Sequence, residues 1–85
     1  MRIISQNGEV DIPYEGSILL LDEKYNGSWW LSAKFPGEPD EYILGDFDTK
    51  EDAKAMIISI AKSWMRNYPI FYCTKEEDKT PKERE

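Results

Sequence analysis

The most regular pattern of hydrophobic and polar positions lies between Asp48 and Arg66. Apolar residues recur there at intervals of three and four, which places them in one stripe along a helix. The stripe consists of Ala53, Ile57, Ile60 and Trp64, with Met56 and Ala61 beside them. Most of the other side is polar, namely Lys50, Lys54, Ser59, Lys62, Ser63 and Arg66. The pattern predicts one amphipathic helix that packs on an apolar layer.

Both ends of this helix have sequence signals. Thr49 precedes Asp52 by three residues, and Asp48 precedes Glu51 in the same way. Either side chain can accept hydrogen bonds from the unpaired N–H groups of a first helical turn, and the acidic residues suit the positive end of the helix dipole. Pro69 prevents continuation of the helix. We expect the helix to begin at Asp48 or Thr49 and to end before Pro69.

Four strands are predicted before the helix as two hairpins. Residues 2–6 and 9–14 flank Asn7-Gly8, and residues 17–25 and 28–35 flank Asn26-Gly27. Asn-Gly favours a type I′ turn, because both residues tolerate a positive φ. Pro13 should end its strand or place that strand at a sheet edge.

The second hairpin contains the strongest strand patterns. Ile18 to Leu21 is an unbroken apolar run, which is typical of a central strand partly covered on both faces. The next strand alternates, with Trp29, Leu31, Ala33 and Phe35 on one face and Ser28, Trp30, Ser32 and Lys34 on the other.

The remaining segments extend the sheet. A loop is predicted at residues 36–40 and a strand at residues 41–47. In that strand Tyr42 and Leu44 should lie on the face opposite to Ile43 and Phe47, and Gly45 should weaken or bulge the strand. Residues 70–74 predict a last strand, and we expect Tyr68, Phe71 and Tyr72 to close the core.

These elements predict an α+β fold, in which an antiparallel meandering β-sheet of five to six short strands carries one amphipathic helix on one face. Residues 1–74 are expected to form a single domain. Residues 75–85 contain no apolar side chain and are expected to be a charged, flexible C-terminal tail.

The uneven distribution of charge along the chain limits the possible partners. The net charge is −6, and residues 1–52 contain twelve Asp and Glu against four Lys and Arg, whereas residues 53–85 contain five against seven. An acidic strand region disfavours direct binding of nucleic acid, whose phosphates need a cationic surface. The same charge favours a basic protein partner.

Residues with catalytic chemistry are scarce. The chain has no histidine, no glycine-rich phosphate loop and no zinc-ligand spacing, so we expect neither an enzyme nor a cofactor. Asp46, Asp48, Glu51 and Asp52 do not match a calcium loop, and helix capping explains the last three without a metal. Cys73 lies among apolar residues and is predicted to be a buried structural thiol.

The sequence also bears on location. A single cysteine excludes an intramolecular disulfide and fits a reducing compartment. No stretch approaches the ~20 apolar residues that a membrane-spanning helix needs, and no signal-peptide pattern opens the chain. We expect a cytoplasmic protein that does not enter a membrane.

Trp30 is the most informative aromatic residue. The strand alternation turns it away from the core, near Lys34 and residues 36–40. An exposed Trp rimmed by acidic residues is typical of a protein-binding hot spot. The alternative is that Trp30 covers Tyr14 or Tyr25 as a cross-strand pair, and the sequence leaves both open.

Two segments carry a resemblance to known proteins. Met1–Gln6, Gly8 and Asp11–Glu15 match M-R-I-I-S-Q-x-G-x-x-D-I/V-P-Y-E, and Leu44–Ala53 match L-G-x-Y/F-x-T-x-E-x-A. Both resemble small proteins encoded by phages and prophages of low-GC Gram-positive bacteria. The chain is also similar to anti-CRISPR proteins in its length, negative charge and predicted fold. The resemblance implies a phage origin and transfers no functional residue.

The resulting hypothesis is a phage-encoded acidic inhibitor that binds a bacterial host protein in the host cytoplasm, a CRISPR effector nuclease in particular, by occupying a basic surface. The predicted partner-binding residues are Asp22, Glu23, Trp30, Glu38, Asp40 and Glu41. The alternative is a non-enzymatic structural or regulatory phage protein that self-associates through its sheet. The chain is accordingly expected to be a monomer or a homodimer.

Overall fold

The computed structural model of the chain describes residues 1–74, so the predicted tail at residues 75–85 lies outside the described part. The described elements, in chain order, are β1 (Arg2–Ile4), β2 (Asp11–Pro13), β3 (Ile18–Glu23), β4 (Trp29–Lys34), β5 (Glu41–Phe47), α1 (Lys50–Met65) and β6 (Ile70–Tyr72). Six short strands and one packed helix confirm the α+β class for residues 1–74. No helix among these residues is long and apolar enough to cross a membrane.

The strands divide into two three-stranded sheets, ordered β2-β1-β6 and β3-β4-β5. The second sheet is an antiparallel meander, as predicted. In the first sheet β1 pairs antiparallel with β2 but parallel with β6. A parallel pair needs a long crossover, and the second sheet together with α1 supplies it.

The two predicted hairpins are present, but the predicted turn type is wrong. Gly8 and Gly27 have φ values of 78° and 93°, and among residues 1–74 only Asn67 combines a side chain with a positive φ. Each glycine N–H donates to the carbonyl three residues earlier, over 3.0 Å in the first turn and 2.9 Å in the second. The asparagines therefore act as side-chain acceptors within the turns rather than as positive-φ residues.

One core joins both sheets to the helix. The buried apolar side chains are Ile3, Ile12, Leu31, Ala33, Leu44, Phe47, Ala53, Met56, Ile60 and Cys73. Thr49 caps the helix, because its hydroxyl accepts a hydrogen bond from the Asp52 N–H at 3.1 Å. The predicted apolar stripe is largely confirmed. Ser63, which was placed on the polar face, is buried instead, and Trp64 is 46% exposed.

The prediction that β3 is a central strand is wrong. It is an edge strand, and β4 occupies the centre of its sheet. Its cover is partial, as predicted, because Ile18 is 48% exposed and the following three leucines are half-buried. An apolar run cannot reveal which strand lies in the middle, because strand order depends on pairing with distant segments.

A bulge in β5 changes which of its residues enter the core. Leu31 pairs with Gly45 and Ser32 pairs with Ile43, so Leu44 is an extra residue in the ladder. Leu44 and Phe47 are consequently both buried, although strict alternation predicted opposite faces. A side chain at Gly45 would lie 3.0 Å from both the Gln6 side chain and the Phe47 ring, which explains the glycine.

The aromatic residues after the helix are mostly outside the core. Tyr68 and Tyr72 are 51% and 59% exposed, so their predicted core role is wrong, whereas Phe71 packs against the core as predicted. β6 has one face on the core, and alternation turns Tyr72 to the other face.

Candidate protein-binding face

The β3-β4-β5 sheet has one face on the core and one face turned away from it. On β4, Leu31 and Ala33 are completely buried in the core, and the residues between them point the other way. Strand register assigns the cross-strand neighbours of these outward residues. We call the resulting set the outer face: Ile18, Leu20 and Asp22 on β3, Trp30, Ser32 and Lys34 on β4, and Glu41, Ile43 and Asp46 on β5.

Trp30 lies between two carboxylates on this face. Its register neighbours are Asp22 on one side and Asp46 on the other. Lys24 Nζ lies 4.8 Å from the centroid of the indole ring and 3.2 Å from Asp46 Oδ2. Trp30 remains 36% exposed, so Lys24 covers only part of this large side chain.

The predicted neighbours of Trp30 need correction. Tyr14 packs against Trp64, with ring centroids 5.9 Å apart, and Tyr25 is fully exposed, so neither forms the cross-strand pair considered from the sequence. Lys24, not Lys34, lies over the Trp30 ring.

The middle of the outer face is apolar at its surface. Ile18 and Ile43 are 48% and 38% exposed. Ser32 lies below them, completely buried, and its hydroxyl donates to Glu41 Oε1 at 3.3 Å. The face therefore combines exposed aliphatic and aromatic area with acidic margins, which is the composition expected of a protein-binding patch.

A shallow pocket of about 280 Å³ adjoins Trp30 and is lined by Gln6, Asn7, Lys24, Ile43, Leu44, Gly45 and Asp46. Gln6 closes one side, because its amide group donates to the Asp46 carbonyl at 3.2 Å and accepts from the Asp46 N–H at 2.9 Å. Small-molecule sites usually occupy about 300–1,000 Å³ and enclose their ligand. The dimensions suit a single side chain of a protein partner better.

The six residues predicted to bind a partner are all exposed but do not form one cluster. Asp22 lies beside Trp30, whereas Glu23 is paired with Trp29 on the other face of the sheet. Glu41 lies beside Lys34, four residues along β4 from Trp30 and therefore about 13 Å away.

The loop acids lie at the margin of the sheet. Glu38 accepts a hydrogen bond from the Tyr42 hydroxyl at 3.2 Å, and its negative charge raises the pKa of Tyr42 above its ordinary value. Tyr42 packs against the core, so its hydrogen-bond partner Glu38 does not belong to the outer face that carries Trp30. Glu38, Asp40 and Glu41 form a second acidic group at the far end of β4.

Sequence reasoning missed the closest neighbours of Trp30, namely Lys24, Asp46, Gln6 and Ile43. Asp46 lies beside Trp30 only because the β5 bulge shifts the register, and Gln6 arrives from a segment forty positions earlier. The only sequence signal for this arrangement was Gly45, which indicated a possible bulge in β5.

The rest of residues 1–74 offers little catalytic chemistry. No group of three or more Cys, Asp or Glu side chains there is placed to hold a metal ion. Burial raises the pKa of the Cys73 thiol to about 12, so this side chain stays protonated at neutral pH. Comparisons of the chain with protein-family models, with curated proteins and with solved structures found no match in any of the three.

Proposed function

We propose that this chain is a phage-encoded protein that binds a basic surface on a bacterial host protein in the cytoplasm and inhibits it without catalysing a reaction. The proposed target is a defence nuclease of the CRISPR effector type. The observation that supports this most directly is Trp30, which is 36% exposed between Asp22 and Asp46 on the outer face.

The physical argument combines an aromatic anchor with acidic margins. Trp is enriched among residues whose truncation weakens protein–protein binding most. The carboxylates of Asp22 and Glu41, which pair with no described cation, would attract cationic residues of a partner over a distance and favour its correct orientation. The net charge of −6 acts in the same direction.

A nuclease provides a suitable target. Its nucleic-acid channel must be cationic to hold phosphates, so an acidic protein can compete for the same surface. The resemblance of the opening segment to phage proteins supports a target in the bacterial host. Binding by opposite charges should weaken with added salt.

The test is inhibition of DNA cleavage by purified CRISPR effector nucleases, with binding measured in parallel at low and high salt. We expect one effector to be inhibited, and Trp30→Ala to weaken its binding by at least tenfold. Met65→Ala is the matched control, because Met65 is 73% exposed on the helix, away from the outer face.

Three results would count against the proposal. They are the absence of inhibition across effectors, equal loss for both variants, and binding that does not change with salt. Circular dichroism of Trp30→Ala establishes that a loss of binding is not a loss of folding.

A further inference from the structure

The described part of the chain has four sheet edges, and three of them are obstructed or short. β2 and β6 have three residues each, and β2 ends at Pro13. The edge of β5 is interrupted by its bulge and is occupied by Gln6, whose N–H donates to the Leu44 carbonyl at 2.8 Å. Short strands, proline and bulges are the usual means of blocking an edge.

The edge of β3 has none of these features. It is six residues long, contains no proline and pairs with β4 without a register shift. Within residues 1–74 no backbone hydrogen bond reaches its outward side. It is therefore the longest regular edge that the described chain presents.

The hairpin geometry identifies the outward backbone groups. Lys24 N–H donates to the Ser28 carbonyl at 2.8 Å, so Lys24 occupies a position of the ladder whose N–H points towards the neighbouring strand. Such positions alternate along an antiparallel ladder, which makes every second residue of β3 point its N–H and C=O away from β4. The outward residues are Leu19, Leu21 and Glu23.

We propose that the free edge of β3 takes up an extended, basic segment of the partner as a fourth strand of this sheet. This inference rests on the proposed function, since it states how the same partner is held. Main-chain hydrogen bonds to Leu19, Leu21 and Glu23 supply affinity, and side chains on the two faces supply selectivity.

Charge complementarity selects the occupant. Asp22 and Glu23 are exposed, and no described cation pairs with either of them. Lys or Arg beside these two carboxylates, followed by apolar residues beside Ile18 to Leu21, would match the strand. A second copy matches less well, because each chain has a net charge of −6 and would bring its own acids to the interface.

The probe is a ten-residue peptide with two lysines at one end followed by alternating valine and threonine. Amide hydrogen exchange of the full-length, nitrogen-15-labelled protein is measured by NMR with and without the peptide. We expect exchange at Leu19, Leu21 and Glu23 to slow by at least about tenfold at saturation, since each amide gains a partner. A peptide with glutamates in place of the lysines should have a smaller effect.

Glu23→Pro and Glu23→Gln form a matched pair of variants. Both remove the charge, but only proline removes an outward N–H, at a position where the fold does not use it. We expect Glu23→Pro to bind the peptide about tenfold more weakly than Glu23→Gln, with unchanged circular dichroism.

The outcomes separate this inference from the proposed function. Peptide protection that falls on β5, or none at all, overturns the edge inference, and so does equal binding by the two Glu23 variants. Protection of β3 that rises with protein concentration alone assigns the edge to a second copy. If an inhibited nuclease loses affinity with Trp30→Ala but not with Glu23→Pro, the function stands and the edge inference fails. If the peptide protects β3 but no nuclease is inhibited, the edge inference stands and the proposed function fails.

Discussion

Burial determines the chemistry available to individual side chains, as Cys73 and Trp30 show. Cys73 has no exposed surface and follows β6, where its N–H donates to the Ile4 carbonyl at 2.9 Å. The surrounding apolar side chains disfavour the thiolate, which raises the pKa of the thiol from an ordinary 9.0 to about 12. Trp30 shows the opposite case, because its exposed ring remains available to a partner.

The Cys73 thiol predicts a specific dependence of stability on pH. In the unfolded chain the thiol ionises near its ordinary pKa of 9.0, whereas in the folded protein it ionises near 12. The stabilisation is complete below pH 9 and is lost as the pH rises from 9 to 12, by about 1.4 kcal/mol per pH unit.

Urea denaturation at pH 8, 9 and 10 measures this loss. Cys73→Ala is the control, because it retains the titration of Tyr and Lys and removes only that of the thiol. The free energy of unfolding should fall more steeply with pH in the parent protein than in the variant. Parallel slopes would show that the thiol is not protected in the fold.

At the scale of elements, α1 and the two hairpins are set by local chemistry. The Thr49 hydroxyl, the acidic first turn with Glu51 and Asp52, and Lys62 in the last turn all agree with the observed helix. These signals act between residues three or four positions apart. For this reason the helix start and both hairpins could be predicted, whereas the edge position of β3 could not.

Thr49→Ala tests the cap directly. Loss of the hydroxyl leaves the Asp52 N–H without its side-chain acceptor, and we expect the free energy of unfolding to fall by about 1 kcal/mol. Thr49→Ser keeps the acceptor and should remain within about 0.5 kcal/mol of the parent. Urea denaturation followed by circular dichroism provides both values. Equal destabilisation by the two substitutions would assign the effect to the lost methyl group instead.

For the whole molecule, the shared core is the feature that joins the parts. Ile3 from the first sheet, Leu31 from the second and Ile60 from α1 are all completely buried in it. A small domain of this kind normally unfolds in one cooperative step. We infer that a change in one sheet is felt by the other and by the helix.

Ile3→Val tests this coupling without emptying the core. Removing one methyl group from a buried Ile should cost about 0.5–1.5 kcal/mol. Tryptophan fluorescence, which includes Trp29 and Trp30 of the second sheet, should shift its urea midpoint together with the helical circular dichroism signal. Ile58→Val is the control at a 54% exposed helix position and should change stability by less than about 0.5 kcal/mol. Separate midpoints for the two signals would show that the second sheet and the helix unfold independently.

Local sequence patterns predict part of the candidate site, as they predict part of the fold. Alternation along β4 is enough to turn Trp30 outward, because side chains of a strand point to opposite faces in strict succession. The acidic character of the strand region likewise follows from composition alone. Neither observation places the six proposed binding residues relative to one another.

Long-range pairing supplied what local patterns left open. The division into two sheets, the edge position of β3 and the placement of Asp46 and Gln6 near Trp30 all depend on contacts between segments far apart in the chain. Local periodicity specifies a strand or a helix because its interactions span a few residues. Strand order and the register at a bulge depend instead on which distant surfaces bury the most apolar area together.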